Sequence, residues 1–240
     1  MTSSPASPGS TRPARLALII PALNEEQALA QVLDELPRAR FARILVVDNG
    51  STDNTAAVAR ARGAEVIAEP RRGYGQACLA GLAQLDEETE IVVFMDADGS
   101  DVPDEAQKLV EPILAGAADL VIGSRVLGRA EANALGRVQR WGNRLAVTLV
   151  RLLYGFRYTD LGPFRAIRRA SLERLGMADR NFGWTAEMQV KALRQGLRVR
   201  EVPVSYRARI GRSKISGTVT GALQAGTKII WTILRLRVTG

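Results

Sequence analysis

The sequence predicts an α/β fold in which a mostly parallel sheet is flanked by helices. Short apolar runs of about four to six residues alternate with stretches of about ten to fifteen residues that have helical periodicity. Polar clusters at 24–26, 48–53 and 96–101 each follow the carboxyl end of an apolar run. Because parallel strands place their carboxyl ends at one edge of the sheet, we expect these clusters to share a ligand site.

The first half of the chain begins with 13 residues rich in Ser, Pro, Thr and Gly, which we expect to be a disordered tail rather than a signal peptide. We predict that Asn24 caps the first helix, which ends near residue 37, and that Asp53 or Ser51 caps the second, which ends near residue 62. A basic glycine turn precedes the third helix, and Pro103 opens the fourth. The strands predicted for this half are 16–20, 44–47, 64–68, 91–95 and 120–123.

The second half begins with a loop, 124–136, that carries Arg125 and Arg129, and a helix is predicted over 137–154. Four arginines of this helix fall within about 60° of one another, and leucines lie on the opposite side. The helix either packs on the core with a solvated basic face or lies on an anionic surface. The arginines are Arg137, Arg140, Arg144 and Arg151, and the leucines are Leu145, Leu149 and Leu152.

The remaining elements are a strand at 164–168, a helix at 184–191, strands at 197–204 and 205–210, a basic turn at 211–214 and a final helix at 218–238. Lys228 and Arg235 interrupt the apolar residues of the final helix, so we do not expect it to span a membrane. It either lies on a bilayer surface or covers the sheet.

The composition of the 240 residues excludes several kinds of active site. The chain has no histidine, which excludes Ser-His and Cys-His pairs and zinc bound by histidine. The single cysteine, Cys78, excludes an internal disulfide and is compatible with a reducing cytoplasm. Acid–base chemistry therefore falls to carboxylates, lysine, tyrosine or the substrate.

The net charge of +8 is divided unevenly along the chain. Residues 1–120 carry 10 Lys/Arg and 19 Asp/Glu, a balance of −9, whereas residues 121–240 carry 23 and 6, a balance of +17. An acidic half suits metal binding, and a basic half predicts an anionic partner such as a phosphate or an acidic lipid headgroup. Aromatic residues make up only 5% of the chain, which argues against stacking on single-stranded nucleic acid.

The apolar run at 91–95 ends in Asp96-Ala97-Asp98-Gly99. Side chains two residues apart on a strand face the same way, so Asp96 and Asp98 should project together, and Gly99 lets the chain turn. Oxygen ligands without nearby His or Cys suit Mg²⁺ or Mn²⁺ that bridges to a phosphate. The alternative is a solvated acidic turn without a metal. The two aspartates alone do not exclude it, and the surrounding motifs are what favours a metal site.

Seven motifs occur in order along the chain. They are Pro21-Ala-Leu-Asn24-Glu25-Glu26, Asp48-Asn-Gly-Ser-Thr-Asp53, Arg72-Gly-Tyr-Gly75, Met95-Asp96-Ala-Asp98, Gly123-Ser-Arg125, Asp160 with Phe164-Arg165, and Arg209-x-Gly-x-Ser213-Lys214. With these motifs the chain resembles family 2 glycosyltransferases of GT-A fold over about residues 15–215. Within that family it is most similar to the dolichyl- or polyprenyl-phosphate hexosyltransferase branch.

The resemblance implies a nucleotide-sugar donor bound by the first four strands. It implies that the 21–26 segment and Asp48 hold the base and ribose, and that Asp96 and Asp98 bind the metal. The donor-binding residues implied are Pro21, Asn24, Glu26, Asp48, Asp53, Gly75, Asp96, Arg125 and Arg212. Gly99-Ser100 replaces the branch's usual Leu-Gln, so the third metal ligand is Ser100 or Asp101. The backbone N–H groups at the start of the first helix also favour anions.

The expected reaction breaks the bond from sugar C1 to the diphosphate, with Asp98, the metal and cations stabilising the departing charge. Arg209, Arg212 and Lys214 are the cationic candidates. On the acceptor side we expect Arg125, Arg129, Asp160, Arg165 and Trp184, the last stacking on a sugar. Gly162-Pro163 replaces the branch's usual Ser-Gly there. An acceptor phosphate needs no base, whereas an alcohol needs one; Glu187 is that base or an ion-pair partner of Lys191.

These observations predict an inverting, metal-dependent hexosyltransferase that uses Mg²⁺ or Mn²⁺ and acts on a polyprenyl phosphate. The alternative is the same donor chemistry with a soluble or sugar-alcohol acceptor. We divide the chain into the tail (1–13), a GT-A domain (14–215, with a donor half 14–123 and an acceptor half 124–215) and a C-terminal amphipathic helix (216–240). We expect a cytoplasmic protein that does not bind nucleic acid; peripheral attachment to the inner membrane face and homodimerisation stay open.

Overall fold

The computed structural model describes residues 14–132, 134–211 and 219–239. Its core is a seven-stranded sheet. The strands are β1 (Leu16–Ala22), β2 (Arg43–Asp48), β3 (Glu65–Ala68), β4 (Ile91–Phe94), β5 (Leu120–Ser124), β6 (Arg165–Arg168) and β7 (Val199–Pro203). The predicted tail, 1–13, and the predicted basic residues Arg212 and Lys214 lie outside the described residues.

The strand order in the sheet is β3-β2-β1-β4-β6-β5-β7. Strands β3, β2, β1 and β4 run parallel, and β7 runs parallel to β5. Strand β6 is antiparallel to both of its neighbours, β4 and β5. The predicted α/β class with a mostly parallel sheet is therefore confirmed, and β6 separates the parallel first half from the second half.

Eight α-helices surround the sheet in the part of the chain that the structure describes. They are α1 (Glu26–Asp34), α2 (Thr55–Ala61), α3 (Tyr74–Leu82), α4 (Ala106–Leu114), α5 (Arg137–Tyr154), α6 (Arg169–Leu175), α7 (Trp184–Arg194) and α8 (Val219–Val238). Leu18 and Ile20 of β1 pack in one cluster with α1 and α4. Ile19 faces the other side and packs in a cluster with α3, α5, α6, α7 and α8. Period-2 alternation along one strand thus builds both hydrophobic layers.

Three local predictions are wrong. Asn24 does not cap the first helix, because it adopts φ +52° and the helix starts two residues later, after Glu25. Residues 205–210 form no regular strand; Tyr206 only makes isolated bridges with Asp101 and Ala130. At the second helix the N-cap residue is Asn54, so neither Asp53 nor Ser51 occupies the cap position. Asp53 still accepts the backbone N–H of Thr55, the first residue of that helix, at 3.0 Å.

The two predicted amphipathic helices are present and pack on each other. Helix α5 has the predicted bounds, and α8 is described over Val219–Val238, within the predicted range. The Tyr154 hydroxyl of α5 donates to the carbonyl of Ile233 in α8 at 2.8 Å. Within the described residues, no helix is both long and apolar enough to cross a membrane.

Candidate active site

One cleft of about 400 Å³ opens at the carboxyl ends of β1, β2 and β4. We call it the main cleft. Four of the sequence-predicted site residues line it, namely Pro21, Asp96, Asp98 and Arg209. The other lining residues are Ala22, Leu23, Glu25, Asn49, Arg72, Gly73, Tyr74, Ala77, Ala97, Asn181 and Phe182. The main cleft therefore combines apolar walls with acids and two arginines, as a site for an anionic ligand and a cation requires.

Asp98 is held on both of its carboxylate oxygens. Oδ1 accepts the backbone N–H and the hydroxyl of Ser100. Oδ2 lies 3.2 Å from Nη1 of Arg209, whose Nη2 lies 3.1 Å from Oε1 of Glu25. The guanidinium thus links two acids across the main cleft, and Asp98 has a fixed orientation.

Asp96 is partly buried beside Asp98, and the pKa of its carboxyl is raised from 3.8 to about 7. Burial is the main cause, and the negative charge of Asp98 is the second. The pKa of Asp101 is also raised well above its ordinary value, by burial first and then by Asp96. Oδ2 of Asp101 accepts the backbone N–H of Asp96 at 3.2 Å, while its buried Oδ1 has no hydrogen-bond partner among the described residues. This corner concentrates negative charge that a cation can balance.

A divalent cation fits Asp96 and Asp98, although the described residues contain no group of three acids placed to hold a metal. Mg²⁺ and similar ions are commonly held by one or two carboxylates, with substrate phosphates and waters completing the shell. The expectation that Ser100 is the third ligand needs correction. Ser100 is fully buried and donates its hydroxyl to Asp98, so it orients that carboxylate. The alternative ligand, Asp101, holds the backbone of Asp96 instead.

The predicted donor residues at the first two loops mainly bind each other. The backbone N–H of Asn24 donates to Ser51 Oγ at 2.9 Å, and the Asn24 side chain accepts the N–H of Thr52 at 2.7 Å. The N–H of Glu26 donates to Asp53 at 3.2 Å. These N–H groups are already satisfied, which corrects the expectation that they bind an anion.

Asp48 and Gly75 also have structural roles near the main cleft. Asp48 Oδ1 accepts the backbone N–H of Ser51 at 2.9 Å and so fixes the loop after β2. A Cβ at Gly75 would lie 2.0 Å from the carbonyl oxygen of Asp179, so only glycine permits this close approach. Both residues shape the wall of the cleft, and neither is among its lining residues.

Arg125 is paired with Asp160 rather than free to bind an anion alone. Its Nε and Nη2 donate to the two oxygens of Asp160 at 2.8 and 2.7 Å, and its guanidinium lies 5.1 Å from the ring centre of Tyr206. Burial alone lowers the pKa of Arg125, but the bonds to Asp160 and its charge raise it above its ordinary value. Arg129 is exposed, and its carbonyl accepts the N–H of Tyr206.

Three residues predicted for the acceptor side are buried, so their expected direct contacts need correction. Asp160 is one of them, and it pairs with Arg125. Arg165 is fully buried and donates to the backbone carbonyls of Thr185 and Gly162. It therefore positions the loop that contains Gly162. Trp184 is 1% exposed and packs edge-on against Phe94, with ring centres 6.0 Å apart. A sugar cannot stack on an indole that the core already covers.

Glu187 is fully buried and does not line the main cleft. Its carboxylate accepts the backbone N–H groups of Ala178 and Asp179, the latter at 2.7 Å, and lies 2.8 Å from Nζ of Lys191. The geometry favours the ion-pair interpretation over the general-base interpretation. The sequence could not distinguish a general base from an ion-pair partner, because a Glu and a Lys at i and i+4 are compatible with both roles.

A second opening lies between α5 and α8, and we call it the α5–α8 groove. It has a volume of about 770 Å³, and its exposed apolar side chains include Trp141 (72% exposed) and Trp231 (58% exposed). The predicted apolar face of α5 is only partly buried, since Ala146 and Val150 face the core while Leu145 and Leu152 are exposed. The other lining residues are Arg137, Val138, Gly142, Leu145, Leu223, Gly226, Thr227, Ile230 and Leu234.

The sequence missed several residues of the main cleft. Glu25 and Arg72 belong to motifs that were recognised, yet neither was singled out. Asn181 and Phe182 carry no sequence signal, because only the tertiary fold brings them to the opposite wall.

Comparisons with known proteins agree with the fold and the motifs. Residues 17–176 match the sequence profile described as glycosyl transferase family 2. An uncharacterized glycosyltransferase of Mycobacterium tuberculosis is 40% identical over 215 residues, which cover 88% of this chain and 94% of the relative. The dolichyl-phosphate hexose transferase of Haloferax volcanii is 34% identical over 209 residues (86% and 89%). The structure of M. tuberculosis glucosyl-3-phosphoglycerate synthase with Mn²⁺, UDP-glucose and phosphoglyceric acid aligns with a TM-score of 0.76 and 25% identity, covering 93% of this chain and 80% of that chain.

Proposed function

The chain belongs to glycosyltransferase family 2, and we propose that it transfers a hexose, with inversion at C1, from a nucleotide sugar to a polyprenyl phosphate. The donor part of this proposal is supported by the pair of acids at the end of β4 inside the main cleft. The lipid part is supported by the relative that is named a dolichyl-phosphate hexose transferase. The observation that carries the lipid part in this chain is the exposed α5–α8 groove.

We propose that Asp96 and Asp98 hold Mg²⁺ or Mn²⁺ together with the donor diphosphate. The solved synthase structure contains Mn²⁺ and UDP-glucose, which supports a divalent ion in this fold. When bound, such an ion stabilises the negative charge of the departing diphosphate. Asp98 is suited to this role because Ser100 fixes one of its oxygens and leaves the other towards the main cleft, beside Arg209.

Arg209 is the described cation best placed to assist the departing diphosphate. It lines the main cleft, and its present partners, Glu25 and Asp98, are the acids that surround the proposed phosphate position. A guanidinium binds phosphate oxygens through two parallel N–H groups. We propose that Arg209 turns from Asp98 towards the diphosphate when donor binds.

The proposed reaction is a single in-line displacement. An oxygen of the acceptor phosphate attacks C1, the bond from C1 to the donor diphosphate breaks, and the nucleoside diphosphate leaves with the electron pair. A phosphate monoester is already ionised near neutral pH, so no side chain has to remove a proton. This agrees with the buried Glu187, which is occupied by Lys191 and two backbone N–H groups.

The α5–α8 groove supports an acceptor that carries an apolar chain. Its walls expose Trp141 and Trp231, and the exposed arginines of α5 lie on the same helix. Tryptophan and arginine together are typical of surfaces that meet an anionic bilayer. We therefore propose that the protein works at the inner membrane face with α5 and α8 against the lipid.

A transfer assay tests the proposal. Purified protein, Mn²⁺ or Mg²⁺ and labelled UDP- or GDP-hexoses are incubated with undecaprenyl phosphate in vesicles or with phosphoglyceric acid. We expect labelled lipid, and we expect Asp98→Asn to lower turnover by about 10²–10³-fold while the exposed Asp104→Asn leaves it unchanged. Label in the soluble acceptor alone would instead support the alternative, which the solved synthase with phosphoglyceric acid favours.

A further inference from the structure

One wall of the main cleft is formed by residues 176–183, which connect α6 to α7; we call them the 176–183 loop. Asn181 and Phe182 of this loop line the main cleft. The carbonyl of Arg180 accepts the backbone N–H of Gln76 at 2.9 Å. The loop therefore touches the start of α3, on the opposite wall, and the width of the cleft depends on where the loop lies.

Asp179 fixes the shape of this loop from its buried side. Its Oδ1 accepts the backbone N–H groups of Asn181 at 2.8 Å and Gly183 at 3.1 Å. Its Oδ2 lies 2.9 Å from Nζ of Lys228, which belongs to α8. The Asp179 side chain is 1% exposed and that of Lys228 is 38% exposed. An ion pair with one buried partner is screened less by water than a surface pair.

Lys228 stands between the two openings of the molecule. The neighbouring residues Gly226, Thr227 and Ile230 line the α5–α8 groove. On the inner side of the helix, a Cβ at Gly183 would lie 2.4 Å from Thr232 Oγ1, so α8 packs tightly on the 176–183 loop. Arg194 of α7 also donates to the carbonyl of Leu236, at 2.7 Å, which ties the end of α8 to the same layer.

We propose that Lys228 is a positioning residue for nucleotide binding, which acts through Asp179 to hold the 176–183 loop against the main cleft. Without this ion pair the loop keeps its internal bonds, its bond to Gln76 and its packing on Thr232, but it loses its ionic tether to α8. The wall formed by Asn181 and Phe182 is then held less firmly. The affinity for the donor therefore depends on the position of α8 against the 176–183 loop. This inference rests on the proposed nucleotide-sugar donor and adds a link from the α5–α8 groove to the donor site.

The test measures nucleotide affinity directly, by titration calorimetry with UDP and GDP in the presence of Mn²⁺. We expect Lys228→Met to weaken binding of the preferred nucleotide by about five- to tenfold, within the usual range of couplings between sites. Lys228→Arg keeps the positive charge and should bind within about twofold of the wild type. Arg237→Met removes a charge from an exposed position of the same helix and should change nothing.

A second variant separates the tether from folding. Lys228→Met leaves a buried carboxylate without its cation, which costs stability. The double variant Asp179→Asn/Lys228→Met removes that charge, so we expect its Tm to recover while nucleotide binding stays weak. Wild-type affinity in the double variant, or in a folded Lys228→Met protein, would overturn the inference. Failure of the wild type itself to bind either nucleotide would instead count against the proposed function.

Discussion

Two carboxyl groups at the end of β4 are held in an environment that opposes their ionisation. The pKa of Asp96 is raised to about 7, and that of the buried Asp101 is raised as well, in both cases mainly by burial. The unfolded chain ionises Asp96 near its ordinary value of 3.8. Between these two pH values the folded protein retains a proton that the unfolded chain releases, so ionisation in this range favours unfolding.

We predict that the free energy of unfolding, measured with urea and EDTA, falls as the pH rises from about 4 to about 7. The contribution of Asp96 is up to about 4 kcal/mol, because a shift of one pKa unit corresponds to about 1.4 kcal/mol. Asp101→Asn should flatten this dependence, since it removes the second carboxyl whose pKa is raised and keeps an oxygen for the Asp96 N–H. A profile that is equally steep in the variant would contradict the contribution of Asp101 to this pH dependence.

Glu187 offers a second test at the scale of a single residue. Glu187→Gln removes the charge that pairs with Lys191 and one of the oxygens that accept backbone N–H groups. We expect a loss of about 1–3 kcal/mol in stability, measured by urea unfolding. Transfer to a lipid phosphate should change by less than about threefold, whereas loss of a general base costs about 10²–10⁴-fold.

The matched control for this variant is Glu173→Gln, which also removes a glutamate paired with a basic residue four positions away. Its side chain is 59% exposed, so the change should cost less than about 1 kcal/mol. If Glu187→Gln loses turnover while its nucleotide binding and stability are unchanged, Glu187 acts as a general base. That result would also favour a soluble acceptor over a lipid phosphate.

Residue types and spacing were enough to predict which side chains follow the strands. They did not predict reliably whether a side chain faces the cleft or the core. Asp96 and Asp98 do line the main cleft, because the ends of parallel strands converge at one edge of the sheet. Arg209 also lines it, but from the irregular segment that follows β7. Trp184 and Arg165 were expected to face a ligand and are buried instead. Their burial depends on contacts between elements, of Trp184 with Phe94 in β4 and of Arg165 with Thr185 in α7, and no local pattern encodes these contacts.

At the scale of elements, the two amphipathic helices followed directly from periodicity. The approximate bounds predicted for α5 agree with the observed helix, since an 18-residue amphipathic pattern has a clear start and end. What periodicity did not reveal is that α5 and α8 leave their apolar sides open to each other. Trp141 and Trp231 are exposed at this groove, although aromatic side chains usually seek burial. The antiparallel β6 and the missing strand at 205–210 were likewise decided by pairing across the sheet.

The open groove leads to a prediction about membrane binding. We expect the double variant Trp141→Gln/Trp231→Gln to lower the partition coefficient into phosphatidylglycerol vesicles by at least about tenfold, since burial of one large apolar side chain contributes about 1.5–3 kcal/mol. Co-sedimentation with vesicles measures the effect. The control is Leu114→Gln, which changes an exposed apolar residue of α4, outside the α5–α8 groove, and should leave sedimentation unchanged. If the wild type, the double variant and the control sediment equally, the α5–α8 groove does not contact the lipid.

At the scale of the whole molecule, charge and topology divide the chain in the same way. The acidic half, 1–120, contains β1 to β4 and the two acids of the main cleft. The basic half, 121–240, contains α5 and α8, which form the exposed groove. An electric asymmetry of this kind orients a protein at an anionic surface before any specific contact forms. Long-range attraction to the exposed arginines of α5 and apolar contact at the α5–α8 groove would then involve the same helix.

We predict that attachment to anionic vesicles is strongly salt-dependent, because the Debye length falls from about 10 Å at 0.1 M to about 3 Å at 1 M salt. Each exposed arginine near the surface contributes about 1 kcal/mol, so Arg144→Gln/Arg151→Gln should weaken binding at low salt roughly thirtyfold. The equivalent change in the acidic half, Arg40→Gln/Arg60→Gln, removes two exposed arginines away from α5 and should have little effect. If both double variants bind equally well, the net charge of the molecule attracts the bilayer without any preferred face, and the orientation inferred from α5 is wrong.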